Sequence, residues 1–231
     1  MANKSSKTSD KNSGPSTIAQ TYLIAYNAVL AVGWTYLLYQ LITYYLTTSD
    51  KSLYETVKCS LFIFQNAAVM EVIHAATGMV KSNPVLTAFQ VASRVIVVCG
   101  ILFATTAGRN SIGLPLALTA WSVTEIIRYS TYTLNLMGVA PYFLKWLRYS
   151  LFIGLYPLGI TGGAVVHLRV QREIGEGQLY SIALPNTLNF TFNYQYALWI
   201  LMFLYIPLFP QLYLHMFSQR KKVLGTERKN K

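Results

Sequence analysis

The fold is decided by the stretch YFLKWLRYSLFIGLYPLGITGGAVVHL at residues 142–168. Only two of its side chains are charged, Lys145 and Arg148, and both lie in its first third. A helix needs about 20 mostly apolar residues to cross the hydrocarbon core of a bilayer. The stretch therefore predicts a membrane-spanning helix, and Arg148 predicts that one side of this helix faces protein instead of lipid.

The composition of the whole chain agrees with a membrane protein. Of its 231 residues, 53% are hydrophobic and 12% are charged, whereas a soluble domain carries roughly 25% charged residues. So few charges cannot cover a soluble surface, which excludes an ordinary soluble enzyme, a disordered chain and a disulfide scaffold. Cys59 and Cys99 lie in apolar runs, so we interpret them as buried apolar side chains and predict no metal site.

Five further apolar stretches accompany the first one. The six predicted spans are residues 22–46, 57–80, 84–106, 112–136, 142–168 and 194–217. We predict an all-α polytopic membrane protein, a six-transmembrane-helix bundle within residues 17–219. Residues 1–16 are polar and rich in Ser, Lys and Asn, which predicts a disordered cytosolic tail. Residues 220–231 form a second, basic cytosolic tail, and the connection 169–193 is long enough for a small substructure.

The charge distribution predicts the orientation in the membrane. The chain has 19 Lys and Arg against 8 Asp and Glu, a net charge of +11, and the basic residues gather in the two tails. Six spans put both tails on one side, and the positive-inside bias makes that side the cytosol. The last residues, 228–231, resemble a dilysine-type retrieval signal of the endoplasmic reticulum; a solvated basic tail explains them equally well. No basic stripe interleaved with aromatic residues lies between the tails, so we predict that the chain interacts with a lipid bilayer and does not bind nucleic acid.

Ionisable side chains inside the spans predict a polar interior. Glu71 and Glu125 fall within spans, and a charge at the bilayer centre costs roughly 2.5–3.5 kcal/mol on insertion scales. Four consecutive spans each carry two polar residues on one face, because residues three, four or eight apart on a helix face the same way. The predicted pocket is lined by Glu71, His74, Gln90, Arg94, Glu125, Arg128, Arg148 and Tyr156. The alternative is that the Glu–Arg pairs only lock the helices together.

The segment YPLGITGG at residues 156–163 predicts an interruption of the fifth span. Proline removes a backbone donor and frees a carbonyl one turn earlier, which lipid tolerates only where protein or water meets the freed groups. Tyr156 is then expected at a kink beside polar space, where it can exchange a proton with a substrate. A kink with a tyrosine that only packs is an equal alternative.

Several motifs resemble those of one enzyme family. They are QVASR (90–94), WSVTEIIRYS (121–130), LRY (147–149), LYPLG (155–159), LPN (184–186), YIPLFPQLY (205–213), HM (215–216) and QR (219–220). Together they resemble the very-long-chain (3R)-3-hydroxyacyl-CoA dehydratases of the endoplasmic reticulum, the protein-tyrosine-phosphatase-like or PASTICCINO 2 family. The resemblance extends over residues 22–222.

The resemblance implies a reaction and a set of site residues. Members of the family remove water from a very-long-chain 3-hydroxyacyl-CoA to give the trans-2-enoyl-CoA, the third step of each elongation cycle, beside other fatty-acid elongation enzymes. Dehydration is redox-neutral, so no cofactor and no metal is expected. The family tyrosine falls on Tyr156. The supporting residues fall on Gln90, Arg94, Glu125, Arg128, Arg148 and Gly159.

One position departs from the family pattern. The family pairs its tyrosine with a glutamate seven residues later, and Gly163 stands there in this chain. Elimination needs a base for the α-proton and an acid for the leaving hydroxyl, and glycine supplies neither. The chain is then a weakly active or non-catalytic subunit of the elongation complex, or Glu125, Glu71 or His167 substitutes. A local variant or a sequence error is the remaining option.

Two other functions receive less support from the sequence. A cysteine phosphatase needs a thiolate in a Cys-x5-Arg loop, and the corresponding stretch, HAATGMVK at residues 74–81, has Ala75 where the nucleophile belongs. A transporter or channel would use the same polar interior and predicts solute flux, but no motif favours it.

Overall fold

The computed structural model describes residues 17–47, 50–187 and 189–229, with side chains up to Gly225. Within these ranges the chain is helical, and the one β interaction is an isolated antiparallel bridge between Ile182 and Phe192. The all-α prediction is confirmed. The predicted disordered tail, residues 1–16, and the end of the chain, residues 230–231, lie outside the described residues.

The helices follow the apolar stretches of the sequence. They are α1 (Thr17–Leu46), α2 (Leu53–Ala67), α3 (Val69–Ala76), α4 (Pro84–Val95), the π-helix π1 (Ile96–Leu102), α5 (Thr106–Arg109), α6 (Gly113–Leu136), α7 (Tyr142–Gly177) and α8 (Tyr194–Lys229). The Ser52 hydroxyl caps α2, and the Asn83 side chain accepts from the first two amides after Pro84. Gly78 and Gly138 follow the ends of α3 and α6 with φ of 73° and 75°, the left-handed conformation that commonly ends a helix.

Five stretches of the described chain are long and apolar enough to cross a membrane. They are Thr17–Leu46, Leu53–Ala76, Pro84–Leu102, Tyr142–Gly177 and Tyr194–Gly225. A multi-pass membrane protein is therefore confirmed. The predicted span 112–136 corresponds to α6, whose 24 residues are long enough but include Glu125 and Arg128 and are less apolar than the other five.

One local prediction is wrong. The predicted interruption at residues 156–163 is absent from the described chain, because α7 continues through Pro157 to Gly177; inside a bundle, neighbouring helices can meet the carbonyl that a proline frees. The regular α-helix is broken elsewhere, at Ala68 between α2 and α3 and in π1. At the other end of the chain, α8 continues to Lys229, so most of the predicted basic tail is helical.

Helix α6 is the central element of the bundle. It packs most extensively against α7 and α1, and α8 packs against α7. A Cβ atom on Gly162 would lie 2.6 Å from the backbone nitrogen of Ala117 and 2.8 Å from the Gly113 carbonyl oxygen. These small residues let α6 and α7 approach closely, as in many membrane helix pairs.

The register of α6 and α7 places the sequence-predicted residues side by side. The two helices run antiparallel, with Gly162 opposite Ala117, Gly159 opposite Ala120 and Trp121, and Arg148 bonded to Tyr132. Interpolation between these contacts puts Tyr156 at the level of Glu125.

Candidate active site

A chain of alternating charges crosses the interior of the bundle. Glu125 of α6 is 2% exposed. Its Oε1 accepts a hydrogen bond from Arg94 of α4, and its Oε2 accepts one from Arg128 Nε at 2.7 Å. Arg128 also donates to both carboxylate oxygens of Glu71 in α3, at 2.7 and 2.8 Å. The order Arg94–Glu125–Arg128–Glu71 neutralises each buried charge with the next one, which is how ionic side chains persist in an apolar interior.

Tyrosines extend this charge chain toward α1. Tyr129 is fully buried and donates a hydrogen bond to Glu71, while its ring lies 4.6 Å from the Arg128 guanidinium. The ring of Tyr26 meets both Tyr129 and His74 edge-on, and the Tyr22 hydroxyl lies 3.0 Å from His74 Nε2. His74 thus shares a helix face with Glu71 but bonds to a tyrosine of α1.

Arg148 is joined to the same region through an aromatic ring. Its Nη2 donates to the Tyr132 hydroxyl at 2.9 Å, and its guanidinium lies 4.3 Å from the centre of the Tyr132 ring. Arg128 lies 5.9 Å from the same ring. Both guanidinium groups therefore lie near the electron-rich ring of Tyr132.

Tyr156 lies between α7 and α8, next to this charge chain. Its ring is half-buried and stacks on Phe209 at 5.4 Å and on Tyr213 at 6.1 Å, both from α8. Arg94 and Tyr205 are the ionisable side chains that interact with its hydroxyl. Tyr205 also interacts with Ser93 and Arg94. Arg94, which pairs with Glu125, therefore belongs to the electrostatic surroundings of the Tyr156 hydroxyl.

Two predicted residues act through packing or lie apart from the charge chain. Gly159 is buried, and a Cβ there would lie 3.4 Å from Ala120 and 3.5 Å from Trp121. These are ordinary van der Waals distances, so Gly159 lies at the contact between α7 and α6 without being required for it. Gln90 is exposed on α4, and its backbone carbonyl accepts from Ser93, so the structure does not bring its side chain into the charge chain.

The position of the family acid faces open space. A Cβ atom on Gly163 would meet nothing within 4 Å. His167, one turn later, is buried and its Nδ1 lies 3.0 Å from the Gly163 carbonyl oxygen. Because a carbonyl can only accept, Nδ1 carries the proton of this hydrogen bond.

The sequence analysis overlooked three tyrosines of the site, Tyr129, Tyr132 and Tyr205. Tyr129 directly follows Arg128, Tyr132 lies one turn beyond it, and Tyr205 begins the YIPLFPQLY segment. For Tyr129 and Tyr132, the position beside or one turn from an intramembrane arginine was a usable signal, because a phenol can both donate to a carboxylate and stack on a guanidinium. Tyr205 has no arginine within one turn of it in the sequence. Among the described residues, no group of three or more His, Cys, Asp or Glu side chains could hold a metal ion.

We expect Glu125→Gln to lower the stability of the bundle strongly. The change leaves Arg94 and Arg128 half-buried without the carboxylate between them, and breaking a buried ion pair costs about 3–5 kcal/mol. The matched control is Glu176→Gln, which breaks an exposed pair with Arg172 and should change little. Thermal unfolding of both variants in the same detergent measures the difference; equal midpoints would contradict the role of Glu125.

Comparisons with known proteins show which sequences this chain is similar to. The model of the family described as "Protein tyrosine phosphatase-like protein, PTPLA" matches residues 65–226. The very-long-chain (3R)-3-hydroxyacyl-CoA dehydratase 2 of Mus musculus is 43% identical over 96% of this chain and 87% of its own length. The dehydratase hpo-8 of Caenorhabditis elegans is 45% identical over 92% of this chain and 98% of its own, and PASTICCINO 2 of Arabidopsis thaliana 35% over 93% and 97%.

The chain belongs to the PTPLA family. The family match begins within α2 and covers the whole of α3, α4, α6 and α7, so the complete charge chain and Tyr156 lie inside it. The resemblance inferred from the sequence motifs is confirmed. No solved structure matches this chain significantly.

Proposed function

We propose that the chain is a very-long-chain (3R)-3-hydroxyacyl-CoA dehydratase, which removes water to give the trans-2-enoyl-CoA in the third step of fatty-acid elongation. The names of its relatives, 35–45% identical over more than nine-tenths of this chain, support the reaction. The observation that carries the proposal is that the Tyr156 hydroxyl lies within electrostatic range of Arg94, at the end of a buried charge chain.

Tyr156 is the proposed proton-transfer residue. Elimination breaks the Cα–H and Cβ–O bonds, sends the α-proton to a base and delivers a proton to the departing hydroxyl, which leaves as water. A positioned hydroxyl can carry one of these protons. Arg94 stabilises negative charge that develops on the phenol oxygen or the thioester carbonyl, since a fixed cation in a dry site acts strongly on such charge. Glu125 holds Arg94 in place.

The remaining site residues have positioning roles in this proposal. Arg128 holds Glu125 from the opposite side and is itself held by Glu71. Arg148 lies two helical turns from Tyr156, toward the start of α7. Gln90 contributes no contact to the charge chain among the described residues, so its inherited role receives no support from this arrangement.

The alternative is a non-catalytic scaffold subunit of the elongation complex, because Gly163 stands where the family has its glutamate. Glu125 and Glu71 are poor substitutes, because both oxygens of each carboxylate already accept hydrogen bonds. His167 lies eleven residues from Tyr156, about 16 Å along α7, which is too far for both groups to reach adjacent carbons. Tyr205 is the second hydroxyl near Tyr156, and it is the residue best placed to assist an enzyme without the glutamate.

We also propose that the chain crosses the endoplasmic reticulum membrane six times, with both termini in the cytosol. In this proposal α6 is the fourth of the six spans along the chain, and its charged residues Glu125 and Arg128 pair with Arg94 of α4 and Glu71 of α3. The Gln20 side chain donates to the Leu136 carbonyl at 2.7 Å, which puts the start of α1 beside the end of α6. The other elongation enzymes are the proposed partners, and the acyl chain occupies the apolar interior.

A turnover assay tests the proposal. The purified chain in lipid nanodiscs is incubated with a long-chain (3R)-3-hydroxyacyl-CoA, and the trans-2-enoyl product is quantified by mass spectrometry. Stereospecific product formation supports the enzyme. Absence of turnover together with co-purification of elongation enzymes supports the scaffold instead.

A further inference from the structure

At one end of the bundle, the charged side chains of three neighbouring segments are all basic. We define the basic end as residues 77–83, 137–148 and 215–225, the loops after α3 and α6 and the adjoining turns of α7 and α8. These segments contain no Asp or Glu. Their basic residues are Lys81, Lys145, Arg148, Arg220, Lys221 and Lys222. The edge-to-face contact of Phe152 with Phe217, with ring centres 5.1 Å apart, and the hydrogen bond from Tyr213 to the Ile153 carbonyl bring the α7 and α8 parts together.

The opposite end differs, because acidic side chains accompany its cations. Lys58 pairs with Glu55, and Arg172 pairs with Glu176 at 2.8 Å. Glu173 accepts from the first amides of α5, at 2.7 and 2.8 Å. Basic and acidic residues are therefore mixed at the opposite end, whereas the basic end has basic residues alone. Membrane topology explains why the charge at this end is positive. It does not explain why one of its arginines is partly buried.

Arg220 is that arginine. It lies three residues after Phe217, on the side of α8 that packs against α7, and it is half-buried. Within the described part of the chain, its buried Nε atom has no hydrogen-bond partner. A buried cationic donor without a partner is costly, and an anionic ligand that enters here removes the cost. Arg148 uses Nη2 for Tyr132, while a guanidinium offers five donors in total.

We propose that the basic end binds the phosphate groups of coenzyme A, with Arg220 and Arg148 as the principal ligands. The inference rests on the proposed function. Arg148 lies eight residues before Tyr156, about 12 Å along α7. A thioester carbonyl at Tyr156 therefore directs its pantetheine arm along α7 toward the two arginines. Guanidinium groups bind phosphate oxygens through paired, charge-assisted hydrogen bonds.

Kinetics with two thioesters test this site. We compare a 3-hydroxyacyl-CoA with the corresponding 3-hydroxyacyl-pantetheine, which has the same reacting group and no phosphates. Arg220→Gln should reduce the preference for the CoA thioester, measured as the ratio of the two KM values, about tenfold, the usual effect of one hydrogen bond to a charged group. The matched control is Arg172→Gln, an exposed arginine of the opposite end. An unchanged ratio in Arg220→Gln overturns the proposal.

Binding of coenzyme A itself separates this site from the proposed reaction. Isothermal titration of the full chain in phosphatidylcholine nanodiscs should show binding that Arg220→Gln weakens about tenfold and Arg172→Gln does not. Binding without turnover keeps the phosphate site and rejects the dehydratase. No binding, or equal binding by an Arg220→Gln protein with an unchanged melting temperature, rejects the site. The proposal is also rejected if native mass spectra show that the protein retains phosphatidylserine through Arg220 and the titration shows no binding of coenzyme A. The basic end would then be a binding site for an anionic lipid.

Discussion

Tyr156→Phe should lower kcat for the 3-hydroxyacyl-CoA by about 10²–10⁴-fold, the usual contribution of a positioned proton-transfer group. The change removes one oxygen atom and keeps the ring that stacks on Phe209 and Tyr213. Packing between α7 and α8 is therefore retained. Single-turnover measurements on the purified variant check the rate, and its thermal midpoint checks that the bundle is intact.

Tyr213→Phe is the matched control for this experiment. Tyr213 belongs to the same stack of rings, but its hydroxyl donates to the Ile153 carbonyl. Removing that hydroxyl deletes a structural hydrogen bond, which contributes about 0.5–1.5 kcal/mol to stability, and takes no proton-transfer group from the reaction. Similar losses of kcat in both variants would show that Tyr156 only packs. Full activity of Tyr156→Phe would reject the proposed chemistry of this hydroxyl.

The sequence predicted the helices of this fold well, because each apolar stretch must satisfy its backbone hydrogen bonds within itself when it lies in lipid. It also predicted which side chains share a helix face, as for Glu125 and Arg128, which are bonded at 2.7 Å. Helical spacing contains no information about the partner on another helix. The bonds of Arg128 to Glu71 and of Arg94 to Glu125 became known only from the packing of α3 and α4 against α6.

The other differences between the sequence analysis and the structure have physical causes of the same kind. Pro157 was expected to break α7 because a proline lacks a donor, but neither the depth of the residue nor its neighbours can be read from a single chain. Lys and Arg are good helix formers, so a basic tail that continues an apolar helix extends α8 instead of ending it. Gln90 shares a helix with Arg94, and the small difference in their angle on α4 leaves it exposed.

Gly163→Glu should raise kcat, by about 10²-fold or more if the carboxylate takes over one proton transfer. Position 163 lies seven residues after Tyr156, about 10 Å along α7 and on nearly the same face. A Cβ there meets nothing within 4 Å, so the glutamate side chain has room without a rearrangement of the helix. The increase is measured with the same 3-hydroxyacyl-CoA as the parent chain, together with the pH dependence of kcat.

Two control variants separate proton transfer from the filling of space. Gly163→Gln has the same size as the glutamate variant but no ionisable group, so it should leave kcat at the parent level. Gly162→Glu places the same carboxylate one residue earlier, where a Cβ would lie 2.6 Å from the Ala117 nitrogen, and it should fail to fold. If the glutamine and glutamate variants at position 163 are equally active, a carboxylate at this position takes no part in the proton transfer. A gain confined to Gly163→Glu, lost again when Tyr156→Phe is added, would show that the two positions act on one substrate.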